Sequence, residues 1–221
     1  MSRLEPGQLG VFRGRTGRTV VSKWRGIWTG RKAPTKSSKP GSPEQQDQRL
    51  KFGEVNKFLR LFAKEIAIGW QSDKRNETAM NEAVRYHLDK AVKGEYPDYQ
   101  IDYEKVFISR GRGKIDGGFQ PVAKAGAGFS IDISWIVSTK TSRITKPTDK
   151  LKVVLLDVRY RPGELKAIHC NVTAQRSDLK ANVAVPEICK KHPLHVYMFF
   201  SSKDQKLASK SEYLGILTPG E

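Results

Sequence analysis

Residues 128–138 read GFSIDISWIVS, and this stretch decides the class of the fold. Apolar side chains occupy every second position from Phe129 to Val137, and Ser130, Asp132 and Ser134 lie between them. A strict period of two predicts a strand with one buried and one solvated face. A sheet of such strands is typically antiparallel and packs on a core with one face.

The rest of the C-terminal part has the same character. Turn residues separate short segments rich in β-branched and aromatic side chains, and about eight such strands favour a sandwich of two sheets over residues 99–221. The predicted strands are 102–109, 118–123, 128–138, 150–159, 164–172, 182–185, 195–202 and 213–217.

Two of these segments resemble parts of a known fold family. Ile133-Ser134-Trp135 resembles the tryptophan-bearing core strand of fibronectin type III domains. Residues 196–202, followed by Lys203-Asp204-Gln205 and 209–214, resemble their final hairpin. The resemblance implies a fibronectin III/immunoglobulin-like sandwich over roughly residues 100–217, and it implies no function, because such sandwiches carry many.

A helical block, residues 42–98, precedes the strands. Ser42 suits the N-cap, Pro43 the first helical position, and Gln45 completes a capping box. The predicted helix ends near Gly69-Trp70. Its apolar stripe has intervals of three and four residues and consists of Phe52, Val55, Leu59, Phe62 and Ile66.

A second helix is predicted from about residue 76 to 92, with Gly94 as its C-cap. The short connection predicts an antiparallel helical hairpin, so the fold class is α+β. The apolar face of this helix consists of Met80, Val84, His87, Leu88 and Ala91. On the first helix, Phe58 and Leu61 lie off the main stripe, and we expect them to form an exposed edge for a neighbouring subunit.

Charge distinguishes the first 41 residues, which we call the arm. The arm has ten basic residues and one acidic residue, a net of +9 out of +17 for the whole chain. Two short strands, 11–15 and 18–28, are predicted around the turn Thr16-Gly17, and residues 32–41 are predicted to be a linker.

A flexible cationic segment with aromatic side chains is typical of a partner for a polyanion, and nucleic acid is the commonest. We expect phosphate contacts with little sequence specificity, and stacking from the two tryptophans. The candidate residues in the arm are Arg13, Arg15, Arg18, Lys23, Trp24, Arg25, Trp28, Arg31 and Lys32.

A second basic cluster lies between predicted strands. Arg110, Arg112 and Lys114 occur in the run Ser-Arg-Gly-Arg-Gly-Lys. Glycine there would let backbone N–H groups approach a phosphate, so these three residues are further candidates for nucleic-acid contact.

The sequence has few residues in arrangements that are typical of catalysis or metal binding. Cys189, His192 and His195 have the spacing C-x2-H-x2-H, and a zinc site needs four convergent ligands. At most one of the strand neighbours His169 and Cys170 could join them, and His195 opens a strand that faces the core, so we expect no metal and no cofactor. Nucleophile-elbow, P-loop and dinucleotide motifs are also missing, and we expect no enzyme activity. Two cysteines do not make a disulfide framework, and no secretory or membrane-spanning stretch is recognisable, which predicts a cytoplasmic protein or a particle assembled in the cytoplasm.

Motifs spread along the chain are similar to those of an uncharacterised family of Bacteroidota proteins of about this length. This resemblance implies a bacterial or phage setting and the architecture described above, and it transfers no activity. The motifs are Gly10-Val11-Phe12-Arg13-Gly14, Val20-Val21, Trp24-Arg25-Gly26, Gln48-Arg49, Phe52, Tyr96-Pro97-Asp98-Tyr99, Ile108-Ser109-Arg110-Gly111 and Tyr213-Leu214-Gly215.

The sequence therefore predicts a non-enzymatic structural protein that binds nucleic acid through the arm and assembles into a homo-oligomer. The alternative is a protein–protein assembly module without nucleic acid, in which the arm adds strands to a neighbouring sheet. Interleaved arginine and tryptophan favour the first hypothesis, and the alternation of the arm residues favours the second.

Overall fold

The computed structural model describes residues 2–3, 12–24, 26–35, 40–71, 77–111, 115–137, 142–158, 165–189 and 191–219. The chain divides into two compact units, Met1–Gln45 and Gln46–Glu221.

The N-terminal unit contains a small antiparallel sheet. Its strands are β1 (Ser2–Arg3), β2 (Gly14–Thr16), β3 (Thr19–Trp24) and β4 (Ile27–Lys32), in the order β1-β4-β3-β2. Gly17, with φ +57°, makes the turn that the sequence predicts between β2 and β3. The single strand predicted over 18–28 is wrong, because the backbone reverses at Gly26, with φ +83°, and Trp24 pairs with Ile27.

The first long helix begins where the sequence predicts. The Gln45 N–H donates to Ser42 Oγ at 3.3 Å, and the Ser42 N–H donates to Gln45 Oε1 at 3.4 Å, so the capping box is confirmed. Helix α1 spans Pro43–Leu59, and a 3₁₀ turn at Arg60–Phe62 leads into α2 (Ala63–Gly69). Helix α3 spans Ala79–Lys90, with the Thr78 hydroxyl accepting from the Asn81 N–H, and it packs on α2 as a helical hairpin.

The predicted apolar stripe is confirmed except at Phe52, and its buried members are Val55, Leu59, Phe62 and Ile66. Phe58 is 1% exposed and packs against the rings of Phe62 and Tyr103, whereas Phe52 is 54% exposed. The segment after β6 covers the Phe58 side of the helix, which spacing along α1 alone does not reveal. Phe58 is therefore a core residue, and the predicted exposed edge of Phe58 and Leu61 is wrong.

A short sheet connects the helices to the larger sheets. Strand β5 (Val92–Lys93) pairs with β6 (Gln100–Ile101), and a 3₁₀ turn at Tyr103–Lys105 follows. The strand predicted over 102–109 is absent from these described residues. Gly94 does not cap the helix but lies in the loop with φ +92°, where a Cβ atom would lie 2.4 Å from the Asp98 carbonyl oxygen.

Among the described residues, seven antiparallel strands form the two larger sheets. One has the order β10-β9-β12-β13 and the other β11-β8-β7. The strands are β7 (Phe119–Gly126), β8 (Ser130–Ile136), β9 (Lys150–Val158), β10 (Leu165–Cys170), β11 (Lys180–Ala184), β12 (Leu194–Ser201) and β13 (Glu212–Leu217). The pattern in residues 128–138 identified β8 correctly except at its ends, since Phe129 lies in a turn with φ +57° and Val137 is 60% exposed.

The sheet β10-β9-β12-β13 is covered on both faces. Ile131, Ile133 and Trp135 of β8 share one core cluster with Val196, Met198 and Phe200 of β12. The alternate residues Tyr197 and Phe199 share a second cluster with the helices. All eight residues of β12 are buried, and the predicted α+β class is confirmed.

A buried arginine connects the ends of several strands. The Arg176 guanidinium donates from Nη2 to the Asp116 carbonyl at 2.6 Å and from Nη1 to the Gly117 carbonyl at 2.9 Å. Its Nε lies 3.5 Å from the Asp149 carboxylate, which is 1% exposed. The indole N–H of Trp135 donates to the Arg176 carbonyl at 3.0 Å, so this cluster also anchors β8.

A buried histidine joins α3 to the segment before β7. His87 is fully buried, with Nδ1 2.7 Å from the Ala83 carbonyl oxygen, and the Phe107 N–H donates to Nε2 at 3.2 Å. These contacts require the neutral imidazole with its hydrogen on Nδ1. Burial lowers the pKa of His87 from 6.5 to about 4, although the Ala83 carbonyl favours the charged form.

Candidate nucleic-acid interface

Two arginines of the arm lie in one row across three strands. Arg15 of β2 pairs with Val20 of β3, and Val20 pairs with Arg31 of β4. Directly paired residues project from the same face, and two strand spacings place these arginines about 10 Å apart at the backbone.

The next row of this face carries hydroxyl groups. Ser22 pairs with Thr29, and their side-chain oxygens are 3.1 Å apart. We call Arg15, Val20, Ser22, Thr29 and Arg31 the arginine face. Guanidinium groups beside hydroxyl donors are the groups that bind phosphate oxygens in proteins.

The opposite face has lysines and a tryptophan. Lys23 pairs with Trp28, and its ammonium lies 5.3 Å from the centre of the indole ring. Thr19 pairs with Lys32, and Val21 between these pairs is buried. We call Thr19, Val21, Lys23, Trp28 and Lys32 the lysine face.

The arm cations whose side chains the structure describes are exposed. Arg13 lies just before β2 and Arg18 in the turn after it, and the Nε of Arg15 donates to the Gly17 carbonyl at 3.1 Å. In the described part of the arm, no carboxylate pairs with Arg13, Arg15, Arg18, Lys23, Arg31 or Lys32. Arg25 lies outside the described residues, and for Trp24 only the backbone in β3 is described.

Arg110, the first residue of the second predicted basic cluster, already binds other groups of the chain. Arg110 donates from Nη1 to Glu82 Oε1 at 2.6 Å and lies over the Trp70 ring, 5.8 Å from its centre. The N–H groups of Arg110 and Gly111 both donate to the Gly69 carbonyl, at 3.2 and 3.3 Å. A phosphate would have to compete with these acceptors, and Arg112 and Lys114 lie outside the described residues.

Lys210 is a neighbour that sequence reasoning missed. It is exposed, forms an antiparallel bridge with Arg110, and lies with its ammonium 4.3 Å from the centre of the Phe107 ring. The two basic residues are a hundred positions apart in the sequence. No local pattern could have connected them.

Cys189 and His195 of the C-x2-H-x2-H motif contact other side chains. Cys189 donates to Asp157 Oδ2 at 3.5 Å, and His195 Nδ1 lies 2.8 Å from the Tyr213 hydroxyl. Burial raises the pKa of the Cys170 thiol to about 11, which keeps it protonated. Over the described ranges, no three His, Cys, Asp or Glu side chains converge as metal ligands would.

A family model matches residues 11–215, and its description is a family of unknown function, DUF6266. The chain belongs to this family. The resemblance to an uncharacterised family is thereby confirmed, and the match extends from just before β2 into β13. Comparison with curated proteins and with solved structures gave no match.

Among the helices that the structure describes, none is long and apolar enough to span a membrane.

Proposed function

We propose that this member of the family is a non-enzymatic protein that binds nucleic acid through the sheet of its arm. The observation that carries the proposal is the row of Arg15 and Arg31 beside the Ser22–Thr29 hydroxyl pair. With a net charge of +9 over residues 1–41, this sheet attracts a polyanion at long range.

Phosphates, rather than bases, are the expected contacts. Each arginine can bind a phosphate in a bidentate manner, and the neighbouring hydroxyls can donate to the same backbone. Trp28 is half-buried and has Lys23 over its ring, so a stacking base would have to displace an ammonium group. Binding should therefore show little sequence preference and a steep dependence on salt.

Two double variants with equal charge change test the proposal. Arg15→Gln with Arg31→Gln removes the arginine face, and Lys23→Gln with Lys32→Gln removes the same charge from the lysine face. Binding of a labelled duplex and a labelled single strand is measured against salt. The arginine pair should reduce the slope of log affinity for the duplex against log salt by about 2, since each phosphate contact contributes about 0.9.

The lysine pair should change this slope less. Equal losses from both pairs would show that net charge, and not the arginine face, determines binding. A native chain that does not bind at low salt would refute the function itself.

For the two larger sheets we propose a fibronectin III-like sandwich. The strand orders β11-β8-β7 and β10-β9-β12-β13 support this assignment, because the chain crosses between sheets after β8, β10 and β11, a Greek-key connectivity. An experimental structure of residues 46–221 would test it. Any other strand order would refute it.

Strand addition is the second candidate, and one observation favours it. In the order β1-β4-β3-β2, strand β2 lies at an edge, and its three residues are exposed. Edge strands present free backbone groups to a neighbouring chain. Replacing Arg15, Lys23, Arg31 and Lys32 together by Gln should abolish nucleic-acid binding in the first hypothesis, and it should leave assembly through β2 unchanged in the second.

A further inference from the structure

Helix α3 has a second face with the spacing of a helix-packing surface. Its inward face contributes Ala83, His87 and Ala91 to the core. On another side, Asn81, Val84, Arg85, Leu88 and Asp89 follow the intervals of three and four that pack against a helix.

These residues line a groove of about 420 Å³ between α3 and α1. Phe52 and Asn56, one turn apart on α1, form the other wall. Val84 and Leu88 make the apolar floor, and Phe52 remains 54% exposed beside it. A large aromatic side chain next to an apolar groove is costly to leave in water, which indicates an interface.

The charges at the rim of the groove would be complementary between two copies of the chain. Arg85 and Asp89 lie one turn apart on α3 and flank Leu88. Within the chain, Arg85 Nη1 lies 2.7 Å from Glu77 Oε1, and Asp89 Oδ2 lies 3.0 Å from Lys90 Nζ. The Arg85 and Asp89 side chains are nevertheless 61% and 70% exposed, and such exposed ion pairs contribute little to stability, so both can exchange partners in a dimer. A two-fold axis near Leu88 would place Arg85 of each copy opposite Asp89 of the other, as an isologous interface requires. Asp89 and the apolar floor disfavour a phosphate backbone at this surface.

We propose that the groove between α1 and α3 receives a second copy of this chain, so that the two helix pairs pack as a four-helix interface. Phe52 of each copy would enter the groove of the other at the centre, and the Arg85–Asp89 pairs would close its rim. This proposal does not depend on nucleic-acid binding, because it uses residues of the Gln46–Glu221 unit alone.

The test measures the molar mass of the nuclease-treated full-length chain across a dilution series by sedimentation. The native chain should dimerise, and Phe52→Glu should raise the dissociation constant by about tenfold or more, the effect of losing a central apolar anchor. Phe119→Glu is the matched control, because Phe119 is also about half exposed but lies on β7, away from the groove.

Charge exchange keeps the test informative if Phe52→Glu folds poorly. The exchange is made in a Glu77→Gln, Lys90→Gln background, which removes the partners that the two rim charges have within the chain. In this background, Arg85→Asp alone and Asp89→Arg alone should each weaken the dimer. The double exchange should restore it, since each pair then re-forms with reversed sign.

A native chain that is monomeric throughout, whether or not another protein binds it, overturns the proposal. Equal effects of Phe52→Glu and Phe119→Glu, or failure of the double exchange to restore the dimer, also overturn it.

Discussion

Acid should destabilise the Gln46–Glu221 unit through His87. The unfolded chain protonates this imidazole near its ordinary pKa of 6.5, whereas burial lowers the pKa to about 4 in the folded state. Between these two values the unfolded state binds the proton and the folded state does not. Stability is therefore complete above 6.5 and falls as the pH falls towards 4. At 1.36 kcal/mol for each pKa unit, His87 accounts for a loss of roughly 3 kcal/mol.

Urea unfolding of the native chain and of His87→Gln, from about pH 7 to about pH 4.5, measures this loss. The variant should be less stable at neutral pH, because it repacks a buried site, but its stability should fall less with acid. Other groups, such as Glu212, whose pKa burial raises, titrate alike in both proteins, so the difference isolates His87. Parallel curves for the native chain and His87→Gln would refute the reasoning.

Three further substitutions test the packing by urea or thermal unfolding. Arg176→Lys keeps the charge but loses the bonds to two backbone carbonyls, and it should cost about 2–3 kcal/mol; an effect below 1 kcal/mol would contradict the anchoring role. Gly69→Ala should cost about 1–3 kcal/mol, because its Cβ would lie 2.2 Å from Ser109 Oγ. Gly53→Ala, also in a helix but with open space around it, is its control and should stabilise by about 0.5–1 kcal/mol. Phe58→Glu should unfold the unit rather than produce a folded monomer, because it places a carboxylate at a site that is 1% exposed; a folded variant would contradict the core assignment.

Features determined by near neighbours were predictable from the sequence. The start of α1 depends on Ser42, Pro43 and Gln45, which contact each other within one turn. Strand β8 depends on its own alternation, because one of its faces packs on a core and the other is largely exposed. These elements needed no knowledge of what packs against them.

Features determined by distant partners were not predictable. Burial of Phe58 instead of Phe52 depends on Tyr103, 45 residues later, which covers one side of α1. The reversal at Gly26 divides a segment whose alternation continues on both sides of the turn, so periodicity alone could not reveal it.

The candidate site shows the same limit. Local composition identified the arm cations, but the grouping of Arg15 with Arg31 follows from the register of three strands. The partner of Arg110 is Glu82 on α3, and no sequence pattern connects an acidic residue in a helix to a basic residue beyond the next sheet.

Strand β12, which is buried on both faces, leaves the ribosome long after the helices that pack against it. Phe62 leaves the ribosome long before Phe199 of β12, against which its cluster packs, since 137 residues separate them. At 5–20 residues per second, the apolar side of α1 and α2 stays uncovered for roughly 7 to 27 s. During that interval the nascent chain presents bulky apolar side chains on successive helical turns, the kind of segment that chaperones bind. Slow translation or a stall before β12 should therefore favour aggregation more than an equally long pause after β13.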